Sequence, residues 1–204
     1  FLVVFVLFFL LLYPLFFIGF SNKKFYPLVH FLRKLWGELI FLFGGFWPQV
    51  EFEEKLDEQK VYIFVPNHFS YLDIPMTSVG LNHYLNYMAK IELAKIPLFG
   101  KFFTTIDIAV NRKNPVMAVK AMERVKEQLL ANKQSIVIFP EGTVSKTAPQ
   151  LSKFKEGPFK LAIETQVAIV PVSLIDNWKR LPDDGSFTAF PGRLRMYVHR
   201  AIDT

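Results

Sequence analysis

The chain opens with twenty residues that carry no charge, FLVVFVLFFLLLYPLFFIGF. That length reaches the ~20 residues a helix needs to cross a bilayer core, and Pro14 would kink it. A polar, basic flank follows at Ser21, Asn22, Lys23 and Lys24. Residues 27–50 are again largely apolar, but they include Arg33, Lys34 and Glu38, three glycines, and Trp47 before Pro48. Those charges make a poor spanning helix. The stretch reads as an interfacial or re-entrant helix, with its basic groups at the lipid headgroups and Trp36 and Trp47 at the interface. The pattern thus predicts an N-terminal membrane-associated helical hairpin over residues 1–50. A removed signal sequence is the competing explanation of the first segment. The first residue is Phe1 rather than Met, so the hairpin is expected to be cut short at its start.

EFEEKLDEQK, residues 51–60, is a sharp shift to polar positions and reads as a solvated turn into a second unit, 51–204. From there short β-branched and aromatic runs alternate with helical patterns. The runs predict strands over 61–65, 84–88, 104–110, 135–139, 167–174 and 194–199. Helices are expected over 71–79, 115–131 and 158–164. In the middle one Val116, Val119, Met122, Val125, Leu129 and Leu130 recur at helical spacing, with Lys120, Arg124 and Lys126 directed outward. Alternating strands and helices predict an α/β fold with a mixed, largely parallel sheet flanked by helices.

Composition narrows the partners. The 204 residues suffice for one domain with a full core. Half of them are apolar (51%), and mean hydropathy is +0.26, high for a purely soluble domain. Formal net charge is +6. A basic and greasy chain points to anionic lipid surfaces or phosphorylated substrates. No nucleic-acid recognition motif accompanies the charge, so no nucleic-acid partner is expected. The absence of cysteine excludes a disulfide framework and thiolate zinc sites. The clusters Lys23–Lys24 and Arg33–Lys34 favour the cytoplasmic side of a membrane.

Ligands and catalytic groups of open α/β sheets gather beyond the carboxyl ends of strands. Two predicted strand ends carry unusual residues: Pro66, Asn67 and His68 after 61–65, and Pro140, Glu141, Gly142 and Thr143 after 135–139. His68 and Asp73 are five positions apart, the wrong separation for partners on one helix face. The spacing works if His68 lies on the loop and Asp73 in the first turn of the next helix. Asp73 then reaches one ring nitrogen and leaves the other to take a proton. The competing reading is a capping aspartate and an ordinary turn histidine. In FPEGT (139–143), proline stops strand pairing and glycine allows close backbone approach. Such a loop can offer N–H groups to an oxyanion or phosphate, and Glu141 can orient a basic side chain or accept from a substrate hydroxyl. Taken by itself, an ordinary strand-to-loop turn is the favoured explanation.

Taken together and in order, NHFSYLD (67–73) and FPEGT (139–143) resemble the glycerolipid acyltransferase family, the lysophosphatidate acyltransferases in particular. Asn67, His68, Ser70 and Asp73 match the first motif, N-H-x-S-x-x-D, and Phe139 to Thr143 match F-P-E-G-T. Between them, residues 90–114 supply a basic segment with Pro97, Gly100 and Arg112; afterwards come FKEG (154–157) and Val170, Pro171 and Val172. The resemblance covers residues 61 to 173. It implies that 51–204 is an acyltransferase catalytic domain. It further implies transfer of a fatty acyl group from acyl-CoA or acyl-carrier protein to the free sn-2 hydroxyl of lysophosphatidic acid, with no cofactor. His68 would be the general base and Asp73 its orienting partner. Gly142 and Thr143 would help hold the oxyanion or substrate head, with Glu141 beside them, and Arg112 and nearby lysines would bind the phosphate. The hairpin would dock the site at the cytoplasmic face of a membrane. Many relatives carry arginine directly after F-P-E-G-T, linked to phosphate binding; here Val144 stands there, and Lys146, Arg112 and Lys155 are the candidate replacements. That departure keeps open an acyltransferase or transacylase acting on another lysolipid.

Other classes fit less well. No G-x-S-x-G elbow marks a serine hydrolase. His30, His68, His83 and His199 are scattered, without H-E-x-x-H. No G-x-G-x-x-G follows the first strand. A non-catalytic module that only holds lysolipid is the rival from outside enzymes, and the intact His68 and Asp73 argue against it.

Overall fold

A computed structural model describes residues 1–111, 114–131 and 134–204. The expected position Arg112 therefore lies outside the described residues. Helix α1 (Leu2–Phe20) turns through a short 3-10 segment into α2 (Tyr26–Gly44), which ends at Gly45 with φ +70. The left-handed Gly45 reverses the chain without steric cost. Strand β1 (Phe46–Phe52) follows at once. The remaining elements are β2 (Ile63–Pro66), α3 (Asp73–Gly80), β3 (Leu85–Lys90), α4 (Lys101–Thr105), β4 (Ile108–Val110), α5 (Pro115–Leu130), β5 (Ser135–Val137), α6 (Gly157–Thr165), β6 (Ile169–Leu174), α7 (Asn177–Arg180) and β7 (Gly192–Val198).

The seven strands form one sheet in the order β1-β7-β6-β2-β5-β3-β4. Among the described residues, β6–β7 is the one antiparallel pairing between these strands, and a single antiparallel bridge joins Ile169 to Ile202. The α/β reading with a mixed, largely parallel sheet holds. The central strands β2, β5 and β6 are apolar apart from Ser135 and Ser173, as suits strands covered on both faces. Alternate residues split between two clusters. Tyr62, Phe64, Val137, Val170 and Leu194 face α1 and α2 and pack with Phe16, Leu32 and Ile40. Ile63, Val65, Ile136 and Ile169 face the other way, against Val125 and Leu129 of α5 and Leu161 of α6.

Three expectations are corrected. Residues 46–52 form an edge strand rather than the tail of an interfacial helix. Trp47 and Pro48 suit that place, since proline is tolerated on an edge where no ladder donor is needed. Residues 104–110 are not a continuous strand: α4 ends at Thr105, and β4 is only Ile108–Val110. Between them Asp107 turns inward. The third correction explains that turn. Arg33, expected among lipid headgroups, is 7% exposed. It donates to Asp107 Oδ2 at 2.8 Å and to the Leu85 carbonyl at 3.0 Å, while Tyr87 N–H donates to Asp107 Oδ1. Trp36 is likewise buried, against Phe5, Phe9 and Phe16, and donates to the Phe5 carbonyl. Trp47 alone of the two stands exposed. The apparent interfacial residues of α2 thus bind the hairpin to the sheet.

Candidate active site

The site is assembled at the carboxyl ends of β2, β5 and β6. β2 stops at Pro66, which has no N–H to continue a ladder. The Asn67 side chain then acts in place of backbone. Its Oδ1 accepts from Leu174 N–H at 2.6 Å and its Nδ2 donates to the Leu174 carbonyl at 3.0 Å. The β2–β6 pairing is thereby prolonged by one step, and His68 is delivered at a defined point beyond it.

His68 is held on several sides. Its N–H donates to Glu141 Oε1 (2.8 Å), and its carbonyl accepts from Ser145 N–H (2.8 Å). Its ring stacks on Phe139, with centroids 3.9 Å apart and planes 20° apart. Its Nδ1 lies 2.9 Å from Asp73 Oδ2. The FPEGT segment thus grips both the backbone and the ring of the histidine. Nε2 carries no bond to any described residue, and the side chain is 13% exposed.

Asp73 is the first residue of α3 and is fully buried. Its Oδ2 accepts from Phe69 N–H (2.7 Å), Ser70 N–H (2.8 Å) and the His68 ring. Its Oδ1 accepts from Asn177 Nδ2 at 2.8 Å. The two readings of Asp73 are therefore not exclusive in geometry. One oxygen closes the turn through backbone amides and also meets the imidazole. Ser70 completes the turn, donating from Oγ to the Leu181 carbonyl (2.8 Å) and accepting from Leu72 N–H.

The remaining expected residues fall into distinct places. Glu141, expected toward substrate, is turned inward and 3% exposed. Its oxygens accept from the amides of His68 and of Ser152 (2.9 Å), so it fastens the 152 region to the histidine loop. Gly142 sits at φ +75, and its N–H closes a turn on the Phe139 carbonyl at 3.0 Å. Its amide is thus engaged. Those of Thr143 and Val144 make no hydrogen bond to a described residue. A Cβ at Gly142 would lie 2.8 Å from Lys155 Nζ, because the Lys155 chain crosses directly over it. Lys155 of the FKEG stretch is therefore the cation at the FPEGT loop, while Lys146 is exposed on the same loop. Tyr71 stacks on Phe187 at the rim (5.7 Å), and burial first, then Asp183, pushes its phenol pKa up.

Asn177 and the supporting Phe139 ring were not identified from the sequence. A signal for Asn177 existed. Asp176 and Asn177 follow an apolar strand directly, as His68 and Glu141 do, and the strand-end rule applies equally to β6.

A mixed, mostly parallel sheet with a His–Asp pair at its carboxyl edge and an apolar hairpin on one face defines an α/β protein with a candidate acid–base site beside a lipid-compatible surface. The chain belongs to the acyltransferase family, whose model, Acyltransferase, matches residues 48–175. It is 31% identical over 183 residues to a chloroplastic 1-acyl-sn-glycerol-3-phosphate acyltransferase of Arabidopsis thaliana, covering 89% of this chain and 49% of that one. A chloroplastic 1-acyl-sn-glycerol-3-phosphate acyltransferase of Brassica napus is 30% identical, with 89% and 51% covered. The chain spans about half the length of these curated relatives. In structure it resembles the 1-acyl-sn-glycerophosphate acyltransferase of Thermotoga maritima, with a TM-score of 0.79, 26% identity, and 99% and 85% of the two chains covered.

Proposed function

We propose that this protein transfers a fatty acyl group from an acyl thioester to the free sn-2 hydroxyl of lysophosphatidic acid, giving phosphatidic acid for phospholipid synthesis. One observation carries the reading: His68 is fixed through its backbone, its ring face and Nδ1, with only Nε2 left without a described partner. A base must be aimed before it is useful. In the proposed step the acceptor hydroxyl gives its proton to Nε2 while its oxygen attacks the thioester carbonyl carbon. The carbonyl oxygen takes up negative charge, and the Thr143 and Val144 N–H groups are the candidate donors to it. Collapse reforms the carbonyl and breaks the C–S bond. The leaving thiolate takes the proton from the imidazolium, so His68 returns neutral and no acyl-enzyme forms. Asp73 orients Nδ1 and stabilises the imidazolium. Lys155 and Lys146 are the proposed phosphate contacts.

The acyl donor is acyl-CoA or acyl-carrier protein, both soluble in the cytoplasm, so the site is proposed to face that side of the membrane. Among the described residues one helix, α1, is long and apolar enough to cross a bilayer. It also leaves Leu2, Val3, Leu7, Leu10, Leu11 and Phe17 exposed along its length, a surface suited to lipid.

The direct test is His68→Ala. Turnover is expected to vanish while lysolipid binding, read by equilibrium dialysis, survives; retained turnover would refute the base assignment. Val144 supports a second reading, another lysolipid as acceptor. Assays with lysophosphatidate, lysophosphatidylethanolamine and glycerol 3-phosphate, each with both donors, separate the two. Failure of lysophosphatidate alone would overturn the acceptor and leave the chemistry standing.

A further inference from the structure

Asp73 is anchored from a part of the chain that lies outside the motifs and two residues past the matched region 48–175. Asn177, 1% exposed, donates from Nδ2 to Asp73 Oδ1 at 2.8 Å across a separation of 104 residues. Its own Oδ1 is buried and has no partner among the described residues. An orphaned buried acceptor is a cost, and such groups in folded proteins call for an explanation. The local fold holds the residue there firmly. Asp176, directly before it, receives two hydrogen bonds from Arg195 of β7 (2.6 and 2.9 Å), which hold its carboxyl below the usual range. Leu181 N–H then donates back to the Asn177 carbonyl.

We propose that Asn177 is a positioning residue for the His68–Asp73 pair, acting through Asp73 alone. The geometry explains why one amide suffices. The three donors on Oδ2 come from residues 68 to 70, so by themselves they leave the carboxylate free to turn with that loop. The fourth donor, on Oδ1, comes from Asn177, the first residue of α7 beyond the end of β6. It pins the carboxylate plane to the sheet and shares its negative charge. Without it, the charge rests more heavily on the imidazolium, which then holds its proton more tightly, so less of His68 is free to accept a proton at a given pH. Asn177 has no bond to His68, so its effect travels through Asp73.

Other charges near the pair are accounted for. Glu141 faces the His68 amide, and Lys155 lies over Gly142. Asp176 is paired with Arg195 and lies 3.9 Å from Lys179. Asp183 faces Tyr71. None of these groups bonds to the Asn177 side chain, whose hydrogen-bond partner is Asp73.

The inference rests on His68 as the base, and the experiment separates the two ideas. The imidazole of His68 is titrated by NMR in the purified chain in detergent micelles, assigned by comparison with His68→Gln. In Asn177→Ala its midpoint is expected to move up from that of the wild type. The acid limb of kcat is expected to move with it. Turnover at neutral pH falls roughly tenfold to a hundredfold, the equivalent of one hydrogen bond to a charged group, with KM for both substrates unchanged. Asn177→Leu is close in size, lacks the donor, and serves if the alanine variant does not fold; the same upward shift is expected of it. A merely structural residue would lower the amount of active protein and leave the midpoint where it is. An unmoved midpoint in a folded variant overturns the proposal, whatever happens to turnover. Because the titration needs no turnover, it stands even if lysophosphatidate is not the acceptor or His68→Ala retains activity.

Discussion

Glu141 shows how differently one side chain can be used from what its motif suggests. A glutamate between proline and glycine at a strand end invites a role toward substrate. Its two oxygens instead hold the amides of His68 and Ser152. Both amides are only partly accessible, so losing the carboxylate leaves donors without partners at about 1–3 kcal/mol. Glu141→Ala is accordingly expected to lower the melting temperature and to reduce kcat, because the His68 loop loosens. The same reduction should appear with every acceptor lipid. A variant that melts like the wild type but discriminates among acceptors would return Glu141 to the substrate side. Lys155 is the opposite case. It was a secondary candidate in sequence, and the structure lays it across Gly142 of the FPEGT loop.

Among the elements, α2 carries the largest reinterpretation. Its charged residues suggested an interfacial helix, yet Arg33 reaches through to Asp107, 74 positions away, and stacks near Tyr87 and Phe102 at 5.1 and 5.0 Å. The two charges are buried together and each has further hydrogen bonds, the condition under which a buried pair is tolerated. Removing one partner strands the other. Asp107→Ala is expected to destabilise the fold by roughly 3–5 kcal/mol, measured by urea unfolding. Arg33→Met with Asp107→Leu should recover much of that loss. If the single variant unfolds like the wild type, the pair does not join α2 to the sheet. β1 went unrecognised for a related reason. Its residues continue an apolar run, and only the left-handed Gly45 and pairing with β7 make them a strand.

For the molecule as a whole, the hairpin and the sheet share one buried cluster, so α1 is held against α2 and the sheet domain along one face. The other face displays leucines, valines and Phe17 to the surroundings. Burial of a leucine side chain is worth about 1.5–3 kcal/mol. Leu7→Gln combined with Leu11→Gln, which adds no charge, is therefore expected to weaken binding to liposomes by at least about tenfold, while thermal stability in detergent is unchanged. Equal liposome binding by that variant would show that α1 is not the lipid-facing element.

How much was legible in the sequence follows from the range of the interactions. The alternation of strands and helices, the α/β class, and the placement of His68 and Asp73 at a strand end are written within short windows, where periodicity and turn residues act on near neighbours. The ordered motifs added the family. What only the tertiary structure decided depends on partners far along the chain: Asn177 on Asp73, Arg33 on Asp107, and the Asn67 side chain on Leu174. A buried polar side chain must find its partner wherever the fold places one. The sequence therefore marks which residues need partners, and packing alone determines which residues answer.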